Sequence, residues 1–397
     1  MTRGIVLMLT ALIWTGLAAV QPGVDPSESP LWQTAVRSRG LPALHGDTVF
    51  ALTTDHAVVA LALDDGRERW RRSTGERGWT TEGARVVVAG DVVVAGDWDL
   101  YAYDVATGAP RWSYHPADGY APGYFLGVAA GTRVFTGSPS GRVYAVDGST
   151  GRALWTAIVE RTVDAGPLTT VFEPVTDGRL VLAGYTTFAS PDDGGVVALD
   201  AETGRERWRF RFPNPEDARR AMSLAGGPVI HQDLVAAAAA DGRIWGLDLA
   251  TGAVRWTIPG LDGPFDGIIT RVDQEQRGLA IVGDRLIAGS LTGYLTAYDL
   301  TTRRQVWQLQ QGWLGSLSWR DYTHANGVAY VPFISGFLHA VDTATGTIRW
   351  RTRDYRQGLA WPVLIADDRV IATGASGVWA FRAARPADAP DPGGEGR

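Results

Sequence analysis

Short runs of alternating apolar and polar residues follow one another along most of the chain, broken at close intervals by turn residues. Val143-Tyr144-Ala145-Val146 and Leu100-Tyr101-Ala102-Tyr103 are representative, and each leads directly into Asp and then Gly. A period of two within brief segments predicts strands, and few stretches are long enough for amphipathic helices. The 49 glycines supply the turns between them. The pattern therefore predicts an all-β chain.

One unit recurs, of the form apolar–x–Ala/Gly–apolar–Asp–x–x–Thr–Gly–x–x–x–Trp. It reads LYAYDVATGAPRW to Trp112, VYAVDGSTGRALW to Trp155, VVALDAETGRERW to Trp208, IWGLDLATGAVRW to Trp256 and LHAVDTATGTIRW to Trp350. LTAYDLTTRRQVW, ending at Trp307, has Arg303 in place of Gly. VALALDDGRERW, ending at Trp70, reads as two residues shorter between Asp64 and the Trp. The motif aspartates, Asp64, Asp104, Asp147, Asp200, Asp248, Asp299 and Asp342, stand 40 to 53 residues apart. That period suits a four-stranded propeller blade.

The two ends complete the count. Gly377-Val378-Trp379-Ala380-Phe381 has the strand but no Trp unit after it, and Leu31-Trp32-Gln33-Thr34 has the Trp strand with nothing before it. Each is the half the other lacks. The expected fold is an eight-bladed β-propeller of four-stranded antiparallel blades over residues 31–382, closed by the N-terminal strand in the last blade, which removes the open edge.

Within a blade running A-B-C-D from axis to rim, the Asp is expected to cap amides of the turn after strand C. The Gly should take a left-handed conformation. The Trp should lie on strand D and pack on a neighbouring blade, burying about 150–250 Å². Trp32, Trp70, Trp112, Trp155, Trp208, Trp256, Trp307 and Trp350 are thus read as structural. Arg303 predicts a different turn in blade 6. Gly90-Asp91, Asp177-Gly178, Gly283-Asp284, Asn326-Gly327 and Asp367-Asp368 read as A–B hairpin turns.

Composition narrows the chemistry. With 397 residues, 45% apolar and 20% charged, the chain can build an ordinary core. A net charge of −6 argues against nucleic-acid binding, which needs a basic face. There is no cysteine, so disulfides, thiolate nucleophiles, zinc–thiolate sites and lipidation at a cleavage cysteine are excluded. Every basic residue is arginine, so phosphate-loop and Schiff-base lysines are excluded too.

Residues 1–20 open on the short positive stretch Met1-Thr2-Arg3 and continue as an uncharged, mainly apolar run from Ile5 to Val20. They read as a secretory signal cleaved near Ala18 or Ala19, or as an uncleaved N-terminal membrane anchor. Either makes the remainder an exported, periplasmic protein. Residues 21–30 read as a linker, and the Pro-, Gly- and Asp-rich residues 383–397 as a disordered tail.

The Asp-x-x-Thr-Gly-x-x-x-Trp units in an eightfold ring resemble the pyrroloquinoline-quinone-type β-propeller repeat family. Two groups share that repeat. The resemblance to quinoprotein alcohol and glucose dehydrogenases implies a quinone and a metal on the ring axis, held by Glu, Asn and Asp, often with a vicinal cysteine pair. This chain has no cysteine and only Asn214 and Asn326, both in turn or loop sequence. In length and export signal it is closer to the non-catalytic scaffold group typified by the B subunit of the outer-membrane β-barrel assembly machinery. That resemblance implies no cofactor, no catalytic residue and no metal. It implies a scaffold bound to a membrane protein complex, for outer-membrane assembly or to brace an inner-membrane respiratory or photosynthetic complex. A quinone-dependent dehydrogenase is the alternative.

Other constellations are bland. The six histidines, at 45, 56, 115, 231, 324 and 339, have no metal-ligand spacing. Asp97, Asp99 and Asp192-Asp193 form no evident acid–base pair. The basic runs at 67–72 and 205–211 alternate with Glu and apolar residues, as rim strands do. The D-to-A connections are richer. Tyr120, Tyr124 and Phe125 lie in one, Trp313, Trp319, Arg320 and Tyr322 in a second, Tyr355, Arg356 and Trp361 in a third. Aromatics and Arg favour interface centres, so these are the candidate protein-binding residues. The other reading has several of them opening strand A and filling the channel. Two insertions, Tyr185–Gly195 and Ile268–Gly278, are further candidates, the second as a short helix or flap.

Overall fold

The computed structural model describes residues 27–75, 85–96, 98–116, 125–159, 169–187, 193–213, 227–239, 242–259, 276–290, 294–310, 322–332, 337–352 and 363–384. These residues form eight antiparallel sheets in sequence order. Blade 1 comprises Ser38–His45, Thr48–Thr53, Ala57–Ala62 and Glu68–Ser73. Blade 2 comprises Val86–Ala89, Val92–Gly96, Leu100–Asp104 and Pro110–Tyr114. Blades 3 to 7 repeat the plan, with outer strands Ala153–Ile158, Glu206–Arg211, Val254–Ile258, Gln305–Gln310 and Ile348–Thr352. In blade 8, Trp32–Thr34 is the outer strand on Gly377–Arg382, with Trp32 opposite Ala380. The closure expected from the two half-units is the one that forms.

The core is divided among the seams. Eight apolar clusters are each built from two adjacent blades. Phe50, Leu52 and Trp70 of blade 1 meet Val86, Val93 and Tyr103 of blade 2. The closing seam has the same character, with Val378 and Ala380 of blade 8 against Val49 and Leu61 of blade 1. Middle strands such as Thr48–Thr53 and Ala57–Ala62 are buried throughout because both sheet faces are covered. Outer strands are only half covered. Glu68–Ser73 and Glu206–Arg211 bury the Trp, expose the Glu and Arg before it and half-cover the two residues after it, as rim strands do.

Three details depart from expectation. Arg303 does not change its turn. It adopts φ 59° and donates its amide to the Asp299 carbonyl, as Gly108 does to Asp104. The Asp-anchored turn is strong enough to hold a non-glycine residue in the left-handed region. Blade 1 is not shortened. Gly66 bonds the Ala62 carbonyl and Leu63 bonds the Asp47 carbonyl, so Ala62 stands at the place of the motif Asp. Asp64 lies two residues beyond it, and Asp65 caps Arg67 instead. Finally, the linker and tail are fastened at their inner ends. Ser27–Glu28 pairs in parallel with Arg351-Thr352 on the rim of blade 7. The amides of Ala383 and Ala384 bond the Asp368 carbonyl and the Tyr330 hydroxyl. Residues 1–26 and 385–397 lie outside the described residues.

Candidate partner-binding surface

The repeated polar residues are absorbed by the ring. In blades 2 to 7 the motif Asp accepts, on one oxygen, the amides two and three residues on and the Thr hydroxyl. Asp104 does so with Ala106 and Thr107, and Asp248 with Ala250 and Thr251. The Gly after that Thr meets the Trp of the preceding blade. A Cβ on Gly66, Gly108, Gly151, Gly204, Gly252 or Gly346 would lie 2.5–2.7 Å from the indole of Trp32, Trp70, Trp112, Trp155, Trp208 or Trp307. Each of these six indoles also donates Nε1–H to a carbonyl at the start of that turn, at 2.7–3.2 Å. The small residue of strand C sits directly opposite the Trp of its own strand D, as Ala102 opposite Trp112 and Ala198 opposite Trp208. It must be small because the indole lies over it.

A further device is legible in the repeats but was not expected from them. The residue before each Trp from blade 1 to blade 7 is a β-bulge, unpaired with strand C. A bulge re-aims its side chain. In five blades that residue is Arg, and it turns onto aspartates of the same face. Arg111 joins Asp91 and Asp104, Arg255 joins Asp233 and Asp248, and Arg69, Arg207 and Arg349 take Asp47, Asp200 and Asp342. The Thr107 amide and the Arg111 guanidinium hold the Asp104 carboxyl down at about 2. Arg255 and the Thr251 hydroxyl do the same for Asp248, also at about 2. The signal for this was the recurrent Arg-Trp pair. In blade 6 the bulged residue is Val306, and Arg285 from strand B serves Asp299.

Two seams lack the indole bond among the described residues, that between blades 7 and 8, where Trp350 Nε1 has no hydrogen-bond partner, and that between blades 5 and 6. With Arg303 in the Gly position, no Nε1 bond forms between Trp256 and blade 6 among the described residues. Trp256 lies over Gly246 of its own blade, where a Cβ would collide with the ring, and still packs on the apolar cluster of this seam.

Of the candidate interface residues, Tyr120, Tyr124, Trp313, Trp319, Arg320, Tyr355, Arg356 and Trp361 lie outside the described residues. Phe125 opens strand A of blade 3, opposite Gly137. Tyr322 is 4% exposed and packs with Ile287, Leu295 and Val331 between blades 6 and 7. At that position the packing reading is the one that describes its surroundings. The insertion Tyr185–Gly195 lengthens the hairpin of blade 4, Thr187 pairing with Asp193, with residues 188–192 outside the described set. Of Ile268–Gly278, only 276–278 are described, at the start of a strand.

Asp99 is buried and lies 2.6 Å from His115 Nδ1. Among the described residues, no three His, Asp or Glu cluster as metal ligands. Of the donors expected at a quinone site, Asn214 lies outside the described residues. There is no cysteine pair, and Asn326 occupies an A–B hairpin turn at φ 51°.

The family model of outer membrane protein assembly factor BamB matches residues 19–162, 96–321 and 291–385. The chain belongs to the BamB family. A BamB of Xanthomonas campestris pv. campestris is 30% identical over 164 residues, 41% of this chain and 34% of that protein. The dehydrogenase subunit of a quinone alcohol dehydrogenase from Gluconacetobacter polyoxogenes is 32% identical over 164 residues, 36% of this chain and 21% of that protein. The matched regions thus span about a third and a fifth of these two relatives. BamB from Moraxella catarrhalis shares the fold, with a TM-score of 0.63 at 21% identity, covering 88% of this chain and 99% of that one. As in the expectation from the repeat, the BamB family and quinoprotein dehydrogenases are both relatives of this chain.

Proposed function

We propose that the protein is a non-catalytic, exported scaffold of the periplasm that binds a membrane protein complex through the loops of its ring, in the manner of an outer-membrane assembly factor. One observation carries the reading. The Asp, Thr and Arg side chains of the repeat are engaged within their own blade, and its Trp and Gly join each blade to the next, so the repeat builds a platform. Membership of the BamB family supports it. The aromatic D-to-A connections are the proposed contact sites, with Trp313 and Trp319 foremost. Crosslinking in native membranes followed by mass spectrometry should recover an integral membrane partner. The pair Trp313→Ala and Trp319→Ala should weaken that capture while the ring stays folded. Unchanged capture would move the site elsewhere.

The second reading, a quinone-dependent dehydrogenase, is favoured by the 32% identity to the alcohol dehydrogenase subunit. Incubation with pyrroloquinoline quinone and Ca²⁺ separates the two. Stoichiometric binding with alcohol-dependent dye reduction would establish the enzyme and end the scaffold reading.

A further inference from the structure

The outer strands of the blades differ in how their free edges are guarded. An edge strand presents unpaired amides and carbonyls, and charged side chains normally deter another strand from adding to it. Glu68, Arg69, Arg71 and Arg72 guard blade 1, Arg111 blade 2, Glu206, Arg207, Arg209 and Arg211 blade 4, and Arg255 blade 5. The rim of blade 7 already carries an added strand. Ser27 and Glu28 pair in parallel with Arg351 and Thr352, the two residues after Trp350.

Blade 6 has the equivalent edge without the guard. Its outer strand reads Gln-Val-Trp-Gln-Leu-Gln, with no charge from Gln305 to Gln310. Gln308 and Leu309 follow Trp307 as Arg351 and Thr352 follow Trp350. The bulged Val306 is 43% exposed where five other blades place an Asp-bound Arg. Val254, on the neighbouring outer strand, is 50% exposed. Just before the strand stand Arg303 and Arg304, both exposed and neither engaging a carboxylate among the described residues.

We propose that the outer edge of blade 6 takes an extended segment of a partner polypeptide as a fifth, parallel strand along Gln308-Leu309, with carboxylates at the amino-terminal end of that segment meeting Arg303 and Arg304. Main-chain bonds to the edge supply affinity and the two guanidinium groups supply direction and charge selection. The parallel sense is the one blade 7 displays. Charge complementarity selects an acidic segment, since the adjacent Arg303 and Arg304 are exposed and engage no carboxylate among the described residues.

Blade 3 is the internal control. Its outer strand Ala-Leu-Trp-Thr-Ala-Ile is also uncharged, and Ile158 is 55% exposed. Its Trp155 is nevertheless held in the ordinary way, on Gly204 and the Ala201 carbonyl, and only Arg152 precedes the strand.

The test uses the full chain and fluorescein-labelled peptides in fluorescence anisotropy. The probe EEETVTVT should bind, and its reverse TVTVTEEE about tenfold more weakly or not at all. The double variant Arg303→Glu with Arg304→Glu should weaken binding of EEETVTVT by about tenfold or more. Val306→Lys, an exposed change that restores a guard to the edge, should do the same with the melting temperature preserved. Ile158→Lys in blade 3 should leave binding unchanged. No binding of EEETVTVT at about 1 mM peptide would overturn the proposal, as would equal binding of both probes or insensitivity to Val306→Lys. So would sedimentation showing that the chain self-associates through an edge that Val306→Lys disrupts, since the occupant would then be a second copy.

Discussion

The indole of Trp208 covers Gly252 of the next blade so closely that a Cβ there would lie 2.5 Å from Cε3, while Trp208 Nε1 reaches the Leu249 carbonyl at 2.8 Å. One side chain thereby reads both the absence of a side chain and the position of a backbone oxygen across the seam. Gly252 is also left-handed, at φ 72°. Gly46, in an A–B turn, is left-handed at φ 56° but has nothing within 4 Å of a would-be Cβ. The two glycines separate backbone strain from packing. Gly46→Ala should cost about 1 kcal/mol. Gly252→Ala should cost about 3 kcal/mol or more, because overpacking against the indole is added. Urea denaturation of both variants checks this, and equal losses would mean that the indole moves aside freely.

Removing the indole itself should be costlier than removing an exposed rim side chain. Trp208 is 8% exposed and contributes to the cluster joining blades 4 and 5. Trp208→Ala should cost about 3–5 kcal/mol. Trp256, which lacks the cross-seam bond, should lose less on the same change, by about 1 kcal/mol for the missing hydrogen bond. Thermal and urea unfolding of the two variants side by side would show the difference.

The Arg–Asp pairs set the response to strong acid. Asp104 and Asp248 are held at about 2, below the ordinary carboxylate value. Their folded pKa is depressed, so the unfolded chain takes up protons first as pH falls. Their contribution is full above about pH 4 and is lost between about pH 4 and 2. Arg255→Met should raise the Asp248 pKa and flatten its part of that decline. Carboxyl carbon NMR shifts followed from neutral pH to about pH 2 would report both effects.

His339 acts at milder acidity. It is 2% exposed, and burial first and the nearby Arg351 second push its pKa down to about 3. The folded chain keeps it neutral while the unfolded chain protonates it near the ordinary 6.5. Stability should therefore fall as pH drops from about 6.5 toward 3, before most carboxylates titrate. His339→Leu should reduce the slope of melting temperature against pH between about 7 and 5, whatever its effect on absolute stability. An unaltered slope would assign the acid sensitivity elsewhere, with His324, also depressed by burial, the next residue to test.

Blade number and ring closure were legible because most repeats mark the same three places in a blade with Asp, Gly and Trp. The cap, the left-handed residue and the seam indole are local or nearest-neighbour features, so a linear pattern records them. Blade 1 misled because spacing was counted from Asp64, whereas backbone bonding places Ala62 at the cap. Arg303 misled because residue preference was set against a turn that Asp299 and Thr302 hold through side-chain bonds. The Arg before Trp was visible in the sequence, but its role depends on a bulge that no residue type announces. The relative burial of aromatics in the connections depends on how eight blades meet. Tyr322 shows the result, as a loop residue by sequence and a core residue by packing.

The joining of Trp32–Thr34 to Gly377–Arg382 fixes the order in which the molecule can be finished. Ser38 and Gly377, bonded hydroxyl to carbonyl, are separated by 339 positions. A polypeptide delivered from its amino end must hold that first strand unmatched while seven modules condense behind it. Until the last module arrives, the assembly is an open arc with two bare flanks, and its window for misassociation or proteolysis closes only when the tail end of the chain is supplied.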